Sequence, residues 1–102
     1  MSNWSDNQIN QVWEKAQIVE NYDKDVWRKD KCGAWIKKTL HGSQSSYGWE
    51  VDHIYPKDKG GSDRLNNLQP LQWKNNGSKD NNPDSPKNWC SVTSSGTENI
   101  EI

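Results

Sequence analysis

Phenylalanine is missing from this 102-residue chain, and methionine occurs once. Apolar residues make up only 29 % of it, and the mean hydropathy is strongly negative. A composition this poor in apolar mass leans towards disorder and excludes a large aliphatic core. No apolar run is long enough to span a bilayer, and no N-terminal run reads as a secretory signal. The expectation is a cytoplasmic protein with no membrane partner. There is no basic surplus either: 13 Lys and Arg stand against 14 Asp and Glu, a formal net charge of −1. That counts against tight non-specific binding to nucleic acid. The two cysteines, Cys32 and Cys90, form no CxxC pair. A zinc knuckle needs about four closely spaced ligands, so no structural zinc is expected. Free thiols in a reducing interior are the expected state, with a disulfide as the alternative.

What the chain does have is seven tryptophans. Each indole can bury a large apolar area, so a small Trp-built core under a polar surface follows. At this length the chain forms one domain, residues 1–102.

Ser5 to Glu20 reads as a helix. Ser5 or Asp6 can cap it, and Ile9, Val12, Trp13, Ala16 and Val19 form one apolar stripe. Gly33 interrupts the next stretch, so Ala34 to Lys38 reads as a strand. The polar turn HGSQSS leads into Tyr47 to Tyr55, which alternates in strand fashion, and these two strands are expected to pair as a hairpin. Pro56 ends the second strand, Lys57 to Asn66 is a loop, and Leu68 to Leu71 is an edge strand because of Pro70. Gln72 to Asp80 reads as a short helix. Beyond Asn81 the chain turns Pro-, Ser- and Thr-rich, and residues 93–102 are expected to form a flexible tail.

The chemistry concentrates between Tyr47 and Asp80. Hydrolysis of a phosphodiester requires a base for the attacking water and positive charge for the phosphoryl and leaving oxygens. His53 has the side chain for the first task. Asp52 and Asn76 offer the oxygen ligands that a hard cation such as Mg²⁺ needs for the second. Asp80 lies one helical turn beyond Asn76 and is a candidate further ligand. Arg28, Lys57, Lys59, Arg64 and Lys79 are candidates for phosphate contacts. Taken singly, each residue has a plainer reading. His53 fits a buried core histidine, Asp52 a turn cap, Asn67 a loop brace, Gly60 and Gly61 a tight turn, and Lys79 a solvated helix residue. A geometric condition also applies. Adjacent strand residues point to opposite faces, so Asp52 and His53 share a centre only if the strand twists, bulges or ends there.

Residues 49–79 nevertheless carry a specific order: WEVDHIYP, then GGSD, then NLQPL, then Asn75, Asn76 and Lys79. This order resembles the HNH endonucleases, the ββα-metal class. The resemblance implies an α+β fold with a small core of β-hairpin, loop and helix; the residues on either side add an N-terminal helix and an extended C-terminal tail to it. It implies that His53 is the general base, that Asn67 steadies the loop beside it, and that Asp52 and Asn76 hold one divalent metal ion, Mg²⁺ or Mn²⁺. Nucleic acid is the implied partner, DNA ahead of RNA. The zinc-binding cysteines that follow NLQPL in many members are replaced here by Gln72 and Asn75. A degenerate domain that binds nucleic acid or a protein without cleaving is the alternative.

Overall fold

The computed structural model describes residues 4–102. The first helix, α1 (Asp6–Trp13), starts where the sequence indicates. Ser5 caps it by accepting from Gln8 N, and the Gln8 side chain accepts in return from Ser5 N. The helix ends at Trp13, well before Glu20. The carbonyls of Glu14 and Ala16 accept instead from the Arg28 guanidinium, and Gln17–Ile18 becomes a short strand, β1. The apolar stripe still does its work: Val12, Trp13 and Ala16 join Ile36, Trp49 and Leu68 in the main core. Trp13 and Trp49 meet there at 5.6 Å between ring centroids. Each satisfies its indole N–H on a backbone carbonyl, of Lys24 and Lys37 respectively, as a buried Trp requires.

The expected hairpin between Ala34–Lys38 and Tyr47–Tyr55 does not form. Strand β3 (Trp35–Lys37) pairs backwards with β2 (Trp27–Lys29), and β1 adds to the outer edge of β2. The turn between β2 and β3 is local and strong. Asp30 Oδ1 accepts from the amides of Cys32 and Ala34, and Gly33 takes the left-handed conformation at φ 83°. Strand β4 (Trp49–His53) pairs instead with β5 (Leu68–Gln72), with Trp49 opposite Gln72 and His53 opposite Leu68. Pro70 is tolerated because this sheet has only two strands. Helix α2 (Trp73–Lys79) follows β5 directly, and the Gln72 side chain caps it by accepting from Lys74 N and Asn75 N. Both helices pack on β5.

The C-terminal residues are also ordered differently from expectation. Residues 93–102 do not form a loose tail: β6 (Val92–Ser95) and β7 (Glu98–Glu101) make a hairpin. It is held by side chains far away in sequence. Asn99 bonds both the N–H and the carbonyl of Trp35, and the Trp35 indole donates to Gly96 O. Asn75 binds Ser91 N, Val92 N and Val92 O. Cys32 and Cys90 are joined in a disulfide, so the expectation of free thiols is corrected. The Asp30 turn carries Cys32 to the segment leading into β6. No helix among the described residues is long and apolar enough to cross a membrane.

Candidate functional site

Strand β4 ends at His53, and α2 brings Asn76 and Asp80 alongside. Asp52, His53, Asp58, Asn76, Asp80 and Asn81 line one pocket of about 190 Å³. Strand β4 stays paired with β5 through His53, opposite Leu68, and Asp52 and His53 are both among the residues around this pocket.

Asp52 is buried, at 6 % exposure. Its Oδ2 accepts from Gln69 Nε2 at 2.9 Å and lies 3.2 Å from Lys79 Nζ. Burial pushes its pKa above the ordinary carboxylate value, with Gln69 and Lys79 pulling the other way. Both partners engage Oδ2, which leaves Oδ1 without a hydrogen bond among the described residues. Asn76 and Asp80 likewise spend no side-chain atom on a hydrogen bond within the described residues, although both line the pocket. Three uncommitted oxygen groups on one pocket fit a hard divalent cation. The described residues hold no ready-made cluster of three His, Cys, Asp or Glu ligands, so an amide oxygen, water and substrate must complete any coordination shell.

His53 is held by three different groups. Its Nε2 lies 2.7 Å from Asp63 Oδ1, its ring centroid lies 5.5 Å from that of Trp4, and its carbonyl accepts from Lys79 Nζ at 2.8 Å. Asp63 Oδ2 in turn accepts from Lys57 at 2.8 Å. Lys57 first and His53 second hold the Asp63 carboxyl below the usual range. The loop that carries Asp63 is pinned by Asn67. Its Oδ1 accepts from Tyr55 N, and its Nδ2 donates to Tyr55 O and Ser62 O. Gly61 is required where it stands, because a Cβ there would collide with the carbonyl of Tyr55.

The five cationic candidates separate into two groups. Arg28 is buried and donates to the carbonyls of Lys24, Glu14 and Ala16. Lys79 is 2 % exposed and committed to Asp52 and His53. Both serve the fold in this conformation and present no cation to a phosphate. Lys57, Lys59 and Arg64 are exposed on the loop, and Lys57 is already paired with Asp63. Sequence reading passed over Asp63, Gln69 and Asn75 as working residues. Asp63 stands inside the GGSD motif, and that position was the available signal. Gln69 needed the β4–β5 register, which sets it opposite Asp52.

The match to known families agrees with this geometry. The family described as HNH endonuclease matches residues 31–82, just over half of the chain, and the match includes every pocket residue named above. Comparison with curated proteins and with solved structures returns no match. With a family match of that extent over a strand pair, a braced loop and a following helix, the chain belongs to the HNH endonuclease family.

Proposed function

We propose that the chain is a single nuclease domain, that β4, β5 and α2 form its ββα-metal core, and that it hydrolyses phosphodiester bonds in DNA. One observation carries this reading. Asp52, His53, Asn76 and Asp80 line the same pocket, and the histidine is held from outside that pocket by Asp63.

The Asp63 carboxylate favours a proton on His53 Nε2, which leaves Nδ1 as the lone pair that takes a proton from water. Trp4 against the ring and Lys79 on the His53 carbonyl limit its motion, so the base keeps one orientation. Asn67 fixes the loop on which Asp63 sits. Lys79 and Gln69 together hold Asp52 Oδ2, which leaves Oδ1 uncommitted among the described residues to serve as a ligand. A Mg²⁺ or Mn²⁺ ion, when held by Asp52 and Asn76 with Asp80 beside them, supplies positive charge for the phosphoryl oxygens and the departing 3′ oxygen. Arg64 and Lys59, exposed on the loop, are the candidates for flanking phosphates, with Lys57, which lines the pocket, once it leaves Asp63.

A plasmid-nicking assay with Mg²⁺ or Mn²⁺, with and without EDTA, on wild type and His53→Ala tests this. Metal-dependent nicking by the wild type alone is expected. Nicking that survives in His53→Ala removes the histidine from its role. A second reading is a catalytically degenerate module, favoured by the internal Lys79 cation on Asp52 and by the near-neutral charge. Nucleic-acid binding with no cleavage in either metal would select it.

A further inference from the structure

A second cavity adjoins the candidate active site. It holds about 650 Å³ and shares Val51 and Asn76 with the first pocket. Trp4 and Trp73 line it, together with Gln44 and Glu50. Trp4 also packs against the His53 ring, so this cavity adjoins the reactive centre through Trp4 and through Asn76.

The chemistry of its lining selects the occupant. Among the described residues no Lys or Arg lines it and one carboxylate does, so a phosphate is disfavoured. The Trp73 indole offers flat apolar surface. Glu50 has His41 Nε2 at 3.8 Å as its ion-pair partner among the described residues. That distance is too long for a hydrogen bond, so the carboxylate keeps its acceptor capacity. A flat, uncharged group with N–H donors on its edge matches these walls, and a nucleobase is such a group. Deepening the nuclease reading, on which it rests, we infer that this cavity is a subsite for one unstacked base beside the scissile phosphate. Trp73 supplies the stacking surface, and Glu50 and Gln44 accept from an exocyclic amine. Base faces are inaccessible inside a duplex. The favoured substrate therefore presents an unpaired nucleotide, as in a single strand, gap or bulge, and bases bearing an amino group are preferred over thymine.

The test is binding of short, labelled single-stranded oligomers of dA, dC or dT, and of an abasic oligomer of equal length, to His53→Ala in EDTA. Plasmid cleavage by the wild type is measured in parallel. The base-bearing oligomers are expected to bind about tenfold or more tightly than the abasic one, in line with base–aromatic stacking. Trp73→Ala should erase that difference and Trp73→Phe should restore most of it. Glu50→Gln, a milder change at an intermediately exposed position, should weaken the preference for dA and dC over dT even if Trp73→Ala fails to fold. Equal affinity for abasic and base-bearing oligomers, or no binding of either, overturns the base subsite. If the wild type still cleaves in that case, the nuclease reading stands. If it neither binds nor cleaves, both fall.

Discussion

Lys79 Nζ lies 3.2 Å from Asp52 Oδ2 and 2.8 Å from the carbonyl of His53, and both charged side chains are almost wholly buried. One cation thus ties together the two residues that β4 presents to the pocket. Removing one member of a buried pair leaves the other uncompensated, which costs about 3–5 kcal/mol. Lys79→Met should therefore lower the unfolding free energy by about that amount at neutral pH in urea denaturation. Burial raises the Asp52 pKa in the folded state. A raised pKa means that the folded state binds the proton more tightly than the unfolded one. The resulting stabilisation is fully present below the unfolded carboxylate pKa and is lost as pH rises through the folded value. In Lys79→Met the Asp52 pKa rises further, so the defect should shrink on acidification. A defect that is equally large at acid and neutral pH would mean that the lysine acts by packing alone.

Asp63 is exposed, yet it sets the orientation of the His53 ring through Nε2. Asp63→Ala should leave stability nearly unchanged and lower kcat by about tenfold, a fraction of the roughly 10²–10⁴ that a positioned base contributes. KM should move little. Nitrogen-15 shifts of His53 should report an Nε2–H ring in the wild type and a mixture of tautomers in the variant. Lys57 and His53 depress the Asp63 pKa, so this contact persists above the ordinary carboxylate pKa and is lost as pH falls through the folded value.

The Cys32–Cys90 bridge closes a span of 58 residues. In the loop-entropy account, a cross-link of that length stabilises by about 4 kcal/mol. Reduction, or Cys32→Ser with Cys90→Ser, should lower the melting temperature clearly, and amide exchange should rise first in β6 and β7. Such a bridge persists in oxidising surroundings, so a reducing compartment carries a stability cost for this chain. A melting temperature unchanged by reductant would show that the Asn99 and Asn75 contacts hold the hairpin unaided.

Asn75 is completely buried, and its amide joins Asp30 Oδ2 to both backbone groups of Val92 and to Ser91 N. Asn75→Ala strands several buried partners at roughly 1–3 kcal/mol each. A loss of about 3 kcal/mol or more is expected in denaturation. Because the neighbouring residue is Asn76, the concentration of Mg²⁺ needed for half-maximal cleavage should rise as well. A stable variant with unaltered metal dependence would separate the α2 anchor from the site.

Much of the site was legible because its signals are local. Ser5 was read as a helix cap and caps α1. Pro56 was read to end the strand at Tyr55, and β4 ends two residues earlier, at His53. Gln72 was read as the first residue of the next helix and is its cap. Asn67 was read as a loop brace, and its amide bonds Tyr55 and Ser62. Arg28 and Lys79 were read as surface cations because a long charged side chain looks the same in sequence whether it meets water or a buried acceptor. Their burial depends on which elements pack over them.

By itself, then, the amino-acid order determined the family, the sequence of the motif and the positions of the helix starts, because these depend on side-chain type and short-range backbone geometry. Tertiary structure alone decided that β4 pairs with β5 and not with β3, that Cys32 finds Cys90, that residues 93–102 form a docked hairpin, and that Lys79 closes on Asp52. Each of these joins residues distant in the chain. Their energies come from mutual burial and from pairing polar groups that only the assembled fold brings together, so no short window of sequence contains them.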